Sequence, residues 1–517
     1  MCATARVERV LNNQSRFWIK RAKRASAGSP AAGRLNWLTI GHISWPRAFR
    51  RDLNQQHDPD SAGVWAQAEF SDAKLGDRRR SRRLVAMATQ SALRPGGRVT
   101  TVFVGGADRE AAFRFIENDD VSASEIGAAA RRATARRSLG LPFVHVPVDL
   151  TEVHVVDRSD SKELGHCGTS TSTTRGLQVM SAIAIAPDGT PLGMCGQVYW
   201  SRPRPQTRPK KDPRPVEERE TGCWLETIEQ ARTALAETGV RPWFQLDRAG
   251  DSWALLLDAH AADSWLTVRS RFDRRLATSP TEPREYLWAR LAAQEPAASY
   301  DLSVTAKSSR KARMANLVLQ WCEVTLDLDT SPSRRRLPMQ VWAVRVIEVG
   351  TCPAGEAPIE WQLLTTRPVV DLESAHEVVL GYATRWRIEE FHKVWKSSAC
   401  RIEETQLHDA THVVRWATIL ASVAIRLLRL MFLSRNQPSL PAVVELTPEE
   451  IDATILLRKP PGVRRGANVT IADAVRWLAD LGGYTGKSSG GPPGALVIAR
   501  GLDYIRSAAT LIAEANL

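Results

Sequence analysis

In the segment GYATRWRIEEFHKVWK, Tyr382, Arg385, Glu389 and Lys396 stand at offsets of 3, 7 and 14 residues. At about 100° of rotation per residue, a helix carries all four on one stripe. A carboxylate sharing a stripe with a phenol, a guanidinium and an ammonium suits a definite chemistry: Glu389 binds a metal ion while its neighbours hold a phosphodiester. Ion pairing along an exposed helix would produce the same charges without any chemistry. The elements around the stripe bear on that choice.

The run PFVHVPVD reads as a strand ending in Asp149, and LQVMSAIAIA and TPLGMCGQVYW, joined by the turn residues PDGT, read as a hairpin. A helix, WLETIEQARTALAE, then leads to the strand RPWFQLD, which ends in Asp247. This order places two aspartates at strand ends, where carboxylates can converge on one edge of a sheet. Between about 270 and 368, short β-type runs alternate with polar loops, as in a β-rich insertion. One long helix is expected from about Leu372 to Lys396.

Helical patterns precede this α/β region, at VWAQAEF, LGDRRRSRRLVAMATQSAL and REAAFRFI. Arg78, Arg79, Arg80, Arg82 and Arg83 open the second of them. Arginines so placed, ahead of an apolar helical face, suit a helix that packs on one side and touches phosphate on the other; a solvated charged face is the alternative. Residues 1–63 are basic around Lys20, Arg21, Lys23 and Arg24 and read as a flexible extension, or as a DNA-binding arm. The stretch SRPRPQTRPKKDPRP is a surface loop, being too rich in proline for regular structure. Residues 401–517 read as helices separated by PSLP, RKPPG and GKSSGGPPG. The last of these lacks the glycine of a phosphate-binding loop, because Leu481 stands in its place.

A chain of 517 residues needs more than one domain, and its net charge of +13 asks for a polyanionic partner such as nucleic acid. A membrane is disfavoured, since the longest apolar run, Trp416 to Leu433, contains Arg426 and Arg429 and reads as a buried amphipathic helix. The seven cysteines show no CxxC pair and no zinc-finger spacing, and the adjacent His166 and Cys167 read as incidental. With no secretory signal either, a reducing, cytoplasmic compartment is expected.

The pattern Tyr-x2-Arg-x3-Glu-x6-Lys resembles the YREK signature of the insertion-sequence-four family of bacterial DDE transposases, and RWRIEEFHKVWK is similar to that region of the family. VPVDLT and LDRAGD resemble the strands bearing the family's two catalytic aspartates, and the likeness runs from about Val64 to Arg435. The resemblance implies a mixed α/β fold in which a ribonuclease-H-like catalytic core (139–400), with its β-rich insertion, is flanked by a helical DNA-binding domain (64–138) and a helical C-terminal domain (401–517) with a possible dimerisation role.

It also implies cut-and-paste transposition by Asp149, Asp247 and Glu389, which would hold two Mg²⁺ or Mn²⁺ ions roughly 3.5 to 4 Å apart. Water would be the first nucleophile and a DNA 3′-hydroxyl the next. Tyr382, Arg385 and Lys396 match residues that hold DNA near the scissile phosphate. Trp361 and Trp386 match aromatics beside a flipped base. Arg269 and Arg271 lie where the family sets basic residues against DNA, and Arg78, Arg79 and Arg82 are the candidate contacts of the N-terminal helices. The expected partners are double-stranded terminal repeats and target DNA, engaged by a homodimer in a bacterial, nucleoid-associated complex. A DNA-binding inhibitor or repressor that has lost catalysis, or a stand-alone two-metal nuclease, would keep many of the same residues. Leu150, standing where a threonine is expected after the first aspartate, and the loosely similar HCGTSTSTTRG leave metal binding untouched but bear on DNA contacts.

Overall fold

The computed structural model describes residues 19–20 and 62–515, apart from 158–160, 170–171, 204–214, 280, 305–312, 331–334, 354 and 487–490. Apart from residues 19–20 and 62–63, the extension expected over residues 1–63 lies outside the described residues, as does most of the proline-rich loop. Five helices come first: α1 (Ala62–Phe70), α2 (Arg78–Leu93), α3 (Val99–Val102), α4 (Gly106–Ile116) and α5 (Ala123–Ser138). Asp77 starts α2 by accepting the Arg79 N–H at 2.7 Å, and Ser122 starts α5 through the Glu125 N–H at 3.4 Å.

The sheet begins with β1 (Phe143–His154), β2 (Arg175–Ile185) and β3 (Pro191–Trp200). Helix α6 (Glu220–Leu235) crosses to β4 (Arg241–Leu246), and α7 (Trp253–Ala261) crosses to β5 (Trp265–Arg269). Residues Phe143 to Val148 of β1 are all buried, as expected for a central strand covered on both faces. β1 pairs in parallel with β4, and β4 with β5, while β2 runs antiparallel to β1. Parallel strands need crossover helices, which is why α6 and α7 separate these segments. The mixed α/β architecture expected from the sequence is present, with the central mixed sheet of a ribonuclease-H-like core.

The β-rich region after β5 supplies β6 (Ala298–Val304), β7 (Arg313–Thr330), β8 (Arg335–Val349) and β9 (Glu360–Thr365). It extends the core sheet, because β9 pairs antiparallel with β5, Leu364 opposite Val268. The strand order is β6-β7-β8-β9-β5-β4-β1-β2; β3 and the short strand Gly165–His166 both pair with β2, and Ile19–Lys20 pairs with β6.

Helices α8 (Leu372–Thr384) and α9 (Trp386–Lys396) replace the single long helix expected over this stretch. The break is one tightened turn: the Arg385 N–H bonds to the Tyr382 carbonyl and the Ile388 N–H to the Arg385 carbonyl, each at 3.1 Å and each spanning three residues instead of four. The C-terminal region adds α10 (Ala410–Asn436), α11 (Pro448–Arg458), α12 (Ile471–Leu481) and α13 (Ala495–Ala515). α10 is long and apolar enough to cross a membrane, yet most of it is buried inside the protein. It packs against α2, α5, α9, α12 and β3. One apolar core therefore joins Phe70, Leu84 and Ile126 of the N-terminal helices to Trp395, Leu420, Leu478 and Leu502.

Candidate active site

Strand register brings the two aspartates together. Val148 of β1 lies opposite Leu246 of the parallel β4, so the next residue of each strand, Asp149 and Asp247, falls side by side. Paired strands run about 4.8 Å apart, a spacing that carboxylates can share with a cation. β4 ends there because the Asp247 carboxylate accepts the Ala249 N–H at 2.8 Å and opens the turn Arg248–Gly250. Asp149 accepts the N–H of Leu150 at 3.0 Å.

Helix α9 crosses β1 and delivers Glu389 to the same edge. Arg385 ties the group together: Nη2 donates to Glu389 Oε1 at 2.7 Å, and Nη1 lies 3.7 Å from Asp149 Oδ2. Its side chain is 2% exposed, against 18% for Asp149 and 22% for Glu389, so the guanidinium is sealed while the carboxylates keep access to solvent. Burial and the charge of Asp247 push the Asp149 carboxyl well above the usual carboxylate range; Glu389 adds to this and Arg385 opposes it. Burial works against the charge of Arg385, but Tyr382, Asp149, Glu389 and Asp247 outweigh it and raise its value. Asp149, Asp247 and Glu389 all act on the one buried guanidinium of Arg385. Three hard oxygen donors grouped in this way fit a divalent ion, and they are the residues that could hold it.

Around this group, Lys396 Nζ donates to Thr151 Oγ1 at 3.2 Å and lies 3.4 Å from Glu403 Oε1. The Tyr382 ring is buried edge-on to buried Trp361, with centroids 5.3 Å apart. Half-buried Trp386 lies beneath the Arg385 guanidinium at 4.8 Å. The indole N–H groups of Trp361 and Trp386 are buried without a hydrogen-bond partner among the described residues. His392, behind the stripe, is pushed down to about 3 by burial, with Lys396 and Arg385 contributing, and so adds no positive charge.

The remaining candidates are spread more widely. Arg269 is buried on β5 and donates to the Glu360 carbonyl at 3.0 Å. Arg271 is exposed; its backbone N–H bonds to Asp251 at 2.7 Å and its guanidinium lies 5.5 Å over Phe272. On α2, Arg80 pairs with Asp120, and Arg83 lies 3.9 Å from Asp108. Arg78, Arg79 and Arg82 are exposed and pair with no carboxylate among the described residues, which leaves them available to an anion. Thr151 and Glu403 escape a reading of the sequence. Alternation from Asp149 could have found Thr151, which shares its face of β1; no spacing rule points to Glu403.

A second group, Glu152, His154 and Cys167, has ligand atoms within 4.8 Å of one another and could hold an ion by spacing. Both Glu152 oxygens are already engaged: Oε1 accepts from Gln178 at 3.1 Å and faces Arg202 at 3.4 Å, and Oε2 accepts the Gly168 N–H at 2.8 Å. Burial, helped by Glu152, pushes the Cys167 thiol up to about 11. The group serves as a satisfied polar knot at the end of β1.

Comparison with known families gives two matches. Residues 62–121 match the family model described as transposase DNA-binding, and residues 196–426 match the one described as transposase DDE domain. The first covers the arginine-bearing α2, and the second contains Asp247 and Glu389. Asp149 precedes the second match and joins Asp247 through the β1–β4 register and Glu389 through the shared Arg385.

Proposed function

From a chain that carries a transposase DNA-binding domain and a DDE transposase domain, we infer a cut-and-paste DNA transposase of the insertion-sequence-four family. The observation that carries the reading is the convergence of Asp149, Asp247 and Glu389 around the buried Arg385. These acids would hold two divalent ions, Mg²⁺ or Mn²⁺, which when bound activate the attacking oxygen and stabilise the leaving oxygen of a phosphodiester. Arg385 fixes the orientation of Glu389 and offsets part of the acidic charge. Lys396, beside Thr151, contributes a cation next to the reacting phosphate. Trp361 and Trp386 offer aromatic faces near the same edge, and Tyr382 packs against the first of them. Water is the nucleophile that frees the transposon end, and the exposed 3′-hydroxyl then attacks target DNA.

The exposed Arg78, Arg79 and Arg82 serve end binding through phosphate contacts, and Arg271, the exposed member of the Arg269 and Arg271 pair, serves as a further DNA contact. Synapsis pairs two copies of the chain, with the C-terminal helices contributing to dimerisation, and takes place on DNA in the cytoplasm. An assay with the element's own terminal repeats and a divalent ion tests the reading. Cleavage followed by joining is the expected result; cleavage alone indicates a nuclease, and binding alone a repressor. Asp149→Ala, Asp247→Ala and Glu389→Ala should each abolish cleavage and leave end binding largely intact. Near-normal, metal-dependent cleavage by any one of them removes that residue from the site.

A further inference from the structure

Lys396 is gripped from two sides. Its Nζ donates to Thr151 Oγ1 at 3.2 Å and lies 3.4 Å from Glu403 Oε1, and that same carboxylate oxygen accepts the His154 backbone N–H at 3.1 Å. Thr151 and His154 both belong to β1, the strand that carries Asp149. Thr151 stands two residues beyond Asp149, so the two side chains leave the same face about 7 Å apart along the strand.

Glu403 sits in the turn Ile402–Glu404, and the core holds that turn without help from Lys396. Ile402 is fully buried, and Arg401 adopts the left-handed conformation at φ 47°. The Arg401 carbonyl approaches Gly97 so closely that a Cβ there would lie 1.8 Å from it. The carboxylate is therefore presented from a fixed piece of backbone to a long, flexible side chain, a geometry that lowers the cost of fixing a lysine at one place.

We propose that Glu403 is a positioning residue: it fixes the Lys396 ammonium against Thr151, so that the remaining N–H of Lys396 meets the phosphate engaged at Asp149. The proposal rests on the reading of Asp149 and Lys396 given above and adds a residue lying outside the helical stripe. Glu403→Gln is the informative change, because its amide oxygen still accepts the His154 N–H while the charge that holds Lys396 is gone.

In the full chain with terminal-repeat DNA and Mg²⁺, Glu403→Gln should lower the cleavage rate constant at saturating DNA about 10- to 100-fold with little change in KM. In a Lys396→Met background, which is itself impaired, the same change should cost nothing more. An equal loss in both backgrounds would make Glu403 a structural residue and overturn the proposal, as would full activity of Glu403→Gln alongside an impaired Lys396→Met. Full activity of Lys396→Met alongside an inactive Asp149→Ala would instead remove Lys396 from the mechanism, and the role of Glu403 with it. A readout independent of catalysis is acylation of Lys396 by acetic anhydride, followed by mass spectrometry on the protein without DNA. Glu403→Gln should speed that labelling several-fold, and an unchanged rate would show that Glu403 does not hold the lysine.

Discussion

Asp149 answers to three charges at once: Asp247 and Glu389 add to the effect of burial in raising its carboxyl, and Arg385 counters them. An acid raised in the folded state stabilises the fold fully below the range of the unfolded carboxyl, near 4, and loses that contribution as pH rises through the raised folded value. At neutral pH an ionised Asp149 is therefore a liability to the metal-free protein. Asp149→Asn should raise the melting temperature of that protein at pH 7.5 and give no benefit at pH 4. A lower melting temperature at pH 7.5 would show that Arg385 outweighs the other two acids. Glu389 is legible in the sequence because Tyr, Arg, Glu and Lys at helical spacing form a local pattern. Asp149 and Asp247 are legible as acids closing apolar runs, but their adjacency depends on a parallel pairing between segments almost a hundred residues apart. The partners of Lys396 are set by the path of the chain after α9, which no periodicity encodes.

At the scale of elements, the site depends on how closely α8 approaches the sheet before α9 turns toward β1. Gly381 sets that approach: a Cβ there would lie 2.8 Å from His145 Cε1 and 3.1 Å from Gln245 Nε2, both on buried side chains of β1 and β4. The neighbouring rings of Phe143 and Trp243 leave the His145 imidazole little room to yield. Gly381→Ala should thus cost about 1–3 kcal/mol through overpacking, against a gain of up to about 1 kcal/mol in helix propensity. It should also reduce cleavage, because α8 carries Tyr382 and leads into Arg385. Urea unfolding and a cleavage assay check this together; a stabilised, fully active variant would mean that α8 shifts freely on the sheet. The turn between α8 and α9 is invisible to sequence patterning, since the apolar spacing is helical on both sides of Arg385. Likewise the β-type runs of the insertion are readable one by one, whereas their continuity with the core sheet is fixed by the distant β5–β9 pairing.

Across the whole molecule, α10 is the member that couples DNA-binding helices, catalytic sheet and C-terminal helices. The Trp416 indole donates to the Gly97 carbonyl at 2.8 Å, Arg415 to the Ile116 carbonyl at 2.7 Å, and Arg429 to the Pro191 carbonyl of β3 at 3.0 Å. Arg429 also pairs with Glu445 at 2.5 Å, with both residues buried. Arg429, and Arg426 with its Nη2 3.6 Å from the buried Glu450, are the two arginines that argue against a membrane span in the sequence, and both fasten α10 to its surroundings. Removing one partner of a buried pair leaves the other charge desolvated, at a cost of about 3–5 kcal/mol. Glu445→Ala should incur that loss, while the double change Arg429→Met with Glu445→Leu, which removes both charges, should come close to the parent stability. Because a single apolar core runs from Phe70 to Leu502, the loss should not stay among the C-terminal helices. Tryptophan fluorescence and retention of terminal-repeat DNA should fail at the same lowered temperature in Glu445→Ala. DNA retention persisting above the fluorescence transition would show that the N-terminal helices hold together without α10, and that the shared core does not act as one cooperative unit.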